Sequence, residues 1–309
     1  GYDINEKGCQ ISYYDDSMEE PDTMMASSNN YLIPLVLGYF KDRWVFGKEA
    51  KRLAVVGEDC TETDLYGKAK RREKVSLAGK TYDAVWLLAK YISLTLQDFE
   101  NIQYLTFTTP ETDVDMAKML KGIGQHIGVD KEIINVQDYK ESFCQYMIFQ
   151  PKELWQYESA LFYCDEDRIK AYMLRRLRVD ASHGMNSFVT VDEVANAQRK
   201  ELEALYPIMN KEKSPDESFK SMIENVFEKK VISSVYLTGE GFEKNWYPNS
   251  LRVLCNGRRA FMGNNLYSKG ACYKSIRKCE PNDDGPIYLD ETKLTERICL
   301  RMRVDGQEG

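Results

Sequence analysis

Histidine is scarce in this sequence, and its cysteines do not have the spacing that metal sites require. Only two histidines, His126 and His183, occur in 309 residues, and none of the eight cysteines belongs to a Cys-x-x-Cys pair. Structural zinc sites use such closely spaced ligands, and disulfide frameworks are typical of short secreted chains. We therefore expect no structural zinc site, no histidine-based catalytic triad, and reduced, mostly buried cysteines in a cytoplasmic protein.

Long apolar runs and an excess of positive charge are also missing. No run reaches the roughly 18 to 20 residues of a membrane helix, and no signal peptide is visible. The net charge of -7 argues against general nucleic-acid binding. What remains is a globular composition, 43% hydrophobic and 29% charged, in a chain long enough for two domains or one two-lobed domain.

Alternating helical and strand patterns in the first half predict an α/β fold. The chain opens with two strands around the turn Asn5-Glu6-Lys7-Gly8. The glycines of GIGQHIG follow a helix rather than a strand, so they predict a helix end and not a dinucleotide loop. The further expected elements are strands over 32–39 and 43–46, a helix from Gly47, an extension over 56–74, a helix over 82–96, a strand ending at Pro110, a helix over 113–123 begun by Thr112, a short strand over 131–137 and a helix over 139–149.

The second half repeats the opening arrangement of strand, polar turn and strand. Strands over 160–163 and 169–177 flank the turn Cys164-Asp165-Glu166-Asp167, which suggests an internal duplication. The later expected elements are a loop over 180–187, helices over 191–206 and 219–229, a strand over 231–242, two helices within 245–276 and two C-terminal strands.

In order, four stretches of the sequence resemble the superfamily of actin, sugar kinases and heat-shock chaperone ATPases, including a bacterial branch for which no activity is implied. The stretches are GYDINEKGCQISYY, IPLVLGYFKDRWVFGKEAKR, LFYCDEDRIKAYML, and VYLTGEGFEKNW followed by GNNLYSKGACYKS. The resemblance implies a two-lobed, actin-like ATPase fold with duplicated ribonuclease H-like sheets, reduced insertion subdomains and a nucleotide cleft between the lobes. The lobes would span 1–150 and 151–275, with an insertion at about 179–213. Residues 276–309 would form a C-terminal β extension and could begin a further domain.

The resemblance also implies where ATP or ADP with Mg²⁺ would bind. Asp3 matches the carboxylate of the family's first phosphate hairpin, whereas Asn5 stands in the place of a glycine. Lys7 could meet a phosphate or belong to an ordinary hairpin turn. In the third motif, Gly239 and Gly241 allow close backbone approach to a ligand or a neighbouring helix, and Phe242 could offer a face to an adenine or support a tight turn.

The second phosphate hairpin departs further from the family pattern. Tyr163 takes the place of the family's aspartate, and carboxylates replace the glycines of the turn. Such a turn would repel a triphosphate by about 1 kcal/mol or more per close contact. Asp165 and Asp167 could hold a metal ion instead, although a solvated acidic turn is the simpler interpretation.

These departures favour a degenerate nucleotide-binding fold that serves as a binding or regulatory module, with little or no ATP hydrolysis and an unknown protein partner. One alternative is an active Mg²⁺-dependent ATPase that uses Asp3 and the 165–167 turn. Another is a filament-forming or scaffold relative that associates with itself.

Overall fold

The polypeptide forms a mixed α/β structure with two six-stranded sheets and three small ones among the residues described. A computed structural model describes residues 1–28, 30–56, 60–177, 187–198, 214–280, 285–290, 303–304 and 307–308. The described strands are β1 (Tyr2–Ile4), β2 (Gly8–Tyr13), β3 (Asp22–Thr23), β4 (Ile33–Pro34), β5 (Leu37–Phe40), β6 (Arg43–Phe46), β7 (Thr61–Glu62), β8 (Lys74–Leu77), β9 (Lys80–Asp83), β10 (Leu105–Thr109), β11 (Ile134–Asp138), β12 (Glu158–Cys164), β13 (Arg168–Leu177), β14 (Phe188–Gln198), β15 (Ile232–Thr238), β16 (Arg259–Met262), β17 (Ile287–Tyr288), β18 (Arg303–Val304) and β19 (Gln307–Glu308).

The α-helices alternate with these strands, as the sequence pattern predicts. They are α1 (Gly47–Val56), α2 (Leu65–Lys70), α3 (Ala84–Thr95), α4 (Val114–His126), α5 (Tyr139–Ile148), α6 (Pro215–Phe227), α7 (Pro248–Leu254) and α8 (Leu266–Cys279).

The two large sheets share the same arrangement of five strands. The first sheet has the order β11-β10-β1-β2-β3, and β4 pairs with β2 as a side branch. The second has the order β16-β15-β12-β13-β14, followed by β17. In the first sheet, β2 is antiparallel to both β1 and β3, whereas β10 is parallel to both β1 and β11. In the second sheet, β13 is antiparallel to both β12 and β14, whereas β15 is parallel to both β12 and β16.

Helices α5 and α8 connect the two sheets and pack against each other. Phe143 and Met147 of α5 join a buried cluster with Tyr236 of the second sheet. Helix α8 lies against β1, β2 and β10 of the first sheet. The Ser268 hydroxyl hydrogen-bonds Ser12 Oγ at 2.8 Å, which fixes α8 on β2. One helix pair therefore belongs to the cores of both sheets.

Side-chain caps explain where several helices begin. Asp83, Asp113 and Asp138 each accept backbone N–H groups in the first turns of α3, α4 and α5. A capping box between Ser214 and Glu217 begins α6. The cap of α4 is thus Asp113, one residue after the Thr112 expected from the sequence.

The second half contains the largest correction to the expected elements. Residues 191–198 are not helical but belong to β14, which pairs with β13 over its whole length. The strand expected over 32–39 is divided into β4 and β5. The remaining part of the expected helix to 206, the loop with His183, and 179–186 and 199–213 of the expected insertion lie outside the described residues.

The glycine-rich stretch 122–128, which was expected to end the helix, also differs from expectation. Gly122 and Gly124 lie inside the helix, which continues to His126. Gly128, at φ 93°, follows the end of the helix in the left-handed region, as glycines after helices often do.

Candidate functional site

Asp3 is the middle residue of β1 and belongs to a buried hydrogen-bond chain. Its side chain is 3% exposed, and Tyr139 Oη donates to Asp3 Oδ1 at 2.8 Å. Asn5 Nδ2 in turn donates to Tyr139 Oη at 2.9 Å. Burial raises the pKa of Asp3 to about 7, although the hydrogen bond from Tyr139 opposes the rise. The carboxyl group that was predicted to belong to a phosphate hairpin therefore accepts a hydrogen bond from a tyrosine.

The first hairpin turn satisfies its own backbone amides. The Asn5 amide N–H donates to Gly8 O at 3.0 Å. Asn5 Oδ1 accepts the N–H groups of Lys7 at 2.9 Å and Gly8 at 3.2 Å. This is an Asx turn, in which the side chain replaces an external hydrogen-bond partner.

The second hairpin turn has the same hydrogen bonds with a different residue. The Asp165 amide donates to Arg168 O at 3.1 Å. Asp165 Oδ1 accepts the N–H groups of Asp167 at 2.8 Å and Arg168 at 2.7 Å. In both turns, two backbone amides are thus paired with an internal side-chain oxygen.

Tyrosine rings occupy the space between the two hairpins, here called the inter-sheet cleft and bounded by turns 5–8 and 165–168 and loop 239–242. Tyr139 of α5 stacks on Tyr267 of α8, with ring centroids 3.7 Å apart and planes at 8°. Tyr163 lies 6.4 Å from Tyr267. Burial, and next the neighbouring Asp165, raise the pKa of Tyr163, so its hydroxyl keeps its proton. These rings come from α5, α8 and β12, which are far apart in sequence.

Ion pairs also join the two sides of the inter-sheet cleft. Lys7 Nζ binds Glu240 Oε1, and both side chains are partly exposed. Burial alone would lower the pKa of Lys7, but its bond with Glu240 and the nearby carboxylates raise it. Lys170 Nζ of β13 lies 3.8 Å from Glu111, in the loop after β10 of the first sheet, and 3.6 Å from Glu193 of β14. Lys7, which was predicted to meet a phosphate, is therefore paired with the carboxylate of Glu240.

The glycines of the third motif pack against the end of β12. Gly239 has φ 100°, and a Cβ atom there would overlap the carbonyl oxygen of Cys164. A Cβ atom on Gly241 would overlap Cys164 Sγ. Gly239 N donates to Asn264 Oδ1 at 3.0 Å. The predicted close approach was to a ligand or a neighbouring helix, whereas the close neighbour of both glycines is Cys164 at the end of β12.

Phe242 does not provide the adenine contact considered in the sequence analysis. Its side chain is 1% exposed and lies parallel to Trp246, with planes at 7° and centroids 6.2 Å apart. Phe219 and Tyr247 contact it as well. The ring is a core residue of the second sheet, and this burial among aromatic side chains agrees with the alternative of an aromatic-supported turn.

Neither the metal site considered at the second turn nor a nucleophilic role for Cys9, which lies beside the first hairpin, finds support in this geometry. Asp165 uses one carboxylate oxygen on turn amides, and no group of three or more potential metal ligands occurs among the described residues. Burial raises the pKa of Cys9 to about 11, so its sulfur remains a thiol at neutral pH and is a poor nucleophile.

Comparison with known proteins gives a family for this arrangement. The model described as "Family of unknown function (DUF5716) C-terminal" matches residues 20–291. The chain belongs to the DUF5716 family. No curated protein matches it. The DUF5716 match begins after the first hairpin and covers the second hairpin and the loop with Gly239. Within the described parts of this DUF5716 chain, none of the helices is long and apolar enough to cross a membrane.

The two hairpins of this DUF5716 chain are evident in its sequence, whereas the role of the helix tyrosines Tyr139 and Tyr267 is not. Tyr139 follows the N-cap residue of α5, and Tyr267 lies near the start of α8. Nothing in the local sequence indicates that rings 128 positions apart stack. The Asx residues did carry a signal, because Asn or Asp at the first position of a tight turn is typical of this motif.

Proposed function

We propose that this chain is an actin-like, two-lobed protein whose nucleotide cleft has become a structural contact, and that it acts as a binding or regulatory module without ATP hydrolysis. The repeated strand order supports this proposal, because a duplicated fold requires the same order and directions twice. The helix pair α5 and α8 between the sheets is in keeping with two lobes joined by shared helices. The mostly buried cysteines, five of the seven described, agree with action in the cytoplasm.

The state of the two hairpin turns is the observation that carries the proposal. Phosphate-binding loops hold anions through unpaired backbone N–H groups. Here Asn5 and Asp165 accept those N–H groups, and Tyr139 hydrogen-bonds Asp3. The residues present therefore do not fit ATP with Mg²⁺.

A nucleotide-binding experiment tests the proposal directly. We expect no change in melting temperature with 5 mM ATP or ADP and Mg²⁺, and no phosphate release above the protein-free rate. A ligand present at 100 times its Kd would stabilise the folded state by about 2.7 kcal/mol. For a chain of this size, that corresponds to a shift of several degrees.

A pair of turn variants makes the test sharper. Asn5→Gly with Asp165→Gly removes the internal acceptors and frees the turn amides, so any ATP-dependent stabilisation should be greater in this variant than in the wild type. Asn256→Gly, on the exposed turn after α7, is the matched control. ATP hydrolysis by the wild type that is lost in Asp3→Asn would reject the proposal and favour an active ATPase.

A further inference from the structure

A groove lies between α3 and α4, away from the inter-sheet cleft. Its volume is about 400 Å³. Apolar side chains from both helices line it: Val85, Ala89, Met119 and Ile123. Trp86, which is 38% exposed, also lines this groove. We call it the α3–α4 groove.

An aromatic cluster fixes Trp86 at the groove. Tyr82 stacks on Trp86, with centroids 5.5 Å apart and planes at 12°. Trp44 contacts the same indole at 5.8 Å. A large, orientated and partly exposed indole is the kind of side chain that dominates protein recognition.

Gly122 leaves a notch in the wall of the α3–α4 groove. It lies inside α4 with no atom within 4 Å of an added Cβ, and glycine in a helix interior costs about 1 kcal/mol relative to alanine. Gly124 in the same helix is explained by packing, because a Cβ there would lie 2.6 Å from Ile134 Cδ1. No contact among the described residues accounts for Gly122.

The charges around the α3–α4 groove are opposite in sign to the net charge of the chain. The basic side chains of Arg72 and Lys118 line it, whereas the whole chain has a net charge of -7. Neither Arg72 nor Lys118 forms an ion pair within the parts of the chain that the structure describes. The lining carboxylate is Asp83, which accepts the N–H groups of Val85 and Trp86 as the cap of α3.

We infer that the α3–α4 groove binds an acidic amphipathic segment of a partner protein. An apolar side chain of that segment would occupy the notch at Gly122 beside Trp86, and its carboxylates would meet Arg72 and Lys118. The inference rests on the proposed binding role and names its partner class. It uses no residue of the inter-sheet cleft, so peptide binding and nucleotide binding succeed or fail separately.

Synthetic peptides provide the test with the full chain. The probe is a fluorescein-labelled helical peptide with leucines spaced i, i+4 and flanking glutamates, and the matched peptide carries lysine in place of each glutamate. Fluorescence anisotropy should show saturable binding of the glutamate peptide and none of the lysine peptide. Electrostatic pairing predicts weaker binding as salt increases.

Charge reversal locates the binding surface. We expect Arg72→Glu with Lys118→Glu to weaken glutamate-peptide binding at least tenfold. Lys121→Glu changes the charge of the same helix outside the groove lining and should leave binding unchanged. Gly122→Phe should abolish binding without loss of folding, because the notch is open.

Three outcomes would overturn the inference. The first is absence of saturable binding of the glutamate peptide at millimolar concentration. The second is equal binding of the lysine peptide, and the third is equal weakening by Lys121→Glu. Sedimentation velocity covers the other occupant: a concentration-dependent dimer that Gly122→Phe dissociates would assign the groove to a second copy of the chain.

Discussion

Two side-chain oxygens pair with the backbone amides of the two hairpin turns. Asn5 Oδ1 and Asp165 Oδ1 each accept two turn amides, in equivalent positions of two hairpins. Glycine at the same positions would leave those amides open to an anion. Asn5 and Asp165 therefore give both hairpins the internal hydrogen bonds of a structural turn.

The buried carboxyl group of Asp3 predicts a pH-dependent stability. Burial raises its folded-state pKa from 3.8 to about 7, so between these values the folded state binds more protons than the unfolded state. The contribution of Asp3 to the free energy of unfolding therefore falls as pH rises from about 4 to about 7. Asp3→Asn keeps an acceptor for Tyr139 and does not titrate.

We expect Asp3→Asn to be more stable than the wild type at pH 8, on the order of 2 to 4 kcal/mol, and the gap to close near pH 4. Urea unfolding from pH 4 to 8 measures this difference. Glu100→Gln, an exposed carboxylate, is the control and should show no such trend. A constant difference between Asp3→Asn and the wild type at every pH would contradict the assigned burial effect.

The candidate site was predictable from sequence only where its residues are close along the chain. Asp3, Asn5 and Lys7 were found because they share one hairpin. Their partners Tyr139 and Glu240 come from distant elements, and pairing at that range depends on the complete fold. For this reason, the ion pair of Lys7 with Glu240 could not be predicted from the sequence.

At the scale of single elements, periodicity predicted most positions, and the mixed α/β class is confirmed. The strand Arg43–Phe46 and the helix beginning at Gly47 match the expected bounds. The helix expected from Val191 was wrong, because ten residues of β13 pair with β14 and override local propensity. Buried Val189 and Val191 alternate with less buried neighbours, so a strand signal was present.

A buried carboxylate connects α6 to the start of α7. Asp216, 4% exposed, accepts the N–H groups of Asn249 and Ser250 at 2.8 Å and Ser250 Oγ at 2.7 Å. Burial alone would raise the pKa of Asp216, but these hydrogen bonds outweigh it and lower the pKa. One side chain thus caps a neighbouring helix.

Asp216→Ala should lower the free energy of unfolding by about 2 to 4 kcal/mol, because it leaves buried donors of Asn249 and Ser250 without an acceptor. Chemical denaturation gives the value, and hydrogen exchange should show faster opening of α7. Asp115→Ala, in the exposed first turn of α4, serves as the control and should change stability by less than about 1 kcal/mol. Equal effects of the two substitutions would refute the cap.

For the whole molecule, one strand order occurs twice, and each sheet contributes one hairpin turn to the inter-sheet cleft. One hairpin joins β1 to β2 of the first sheet, and the other joins β12 to β13 of the second. The shared helices α5 and α8 hold the sheets so that loop 239–242 reaches the first turn, as the Lys7–Glu240 pair shows. The sequence echo of strand, polar turn and strand predicted this repetition, whereas lobe boundaries at 150 and 275 remain a prediction.

The crossing of α5 and α8 is the contact on which both sheets depend. Gly270 of α8 lies so close to α5 that an added Cβ would overlap the backbone carbonyl of Ser142. Helix propensity alone favours Gly→Ala by about 1 kcal/mol, whereas separating two packed helices costs more than this. We expect Gly270→Ala to destabilise the chain by about 3 kcal/mol or more.

Urea unfolding measures the change, and Gly122→Ala in the open wall of α4 is the matched control, with an expected gain of about 0.5 to 1 kcal/mol. If Gly270→Ala were as stable as Gly122→Ala, this result would contradict the close contact between Gly270 of α8 and Ser142 of α5.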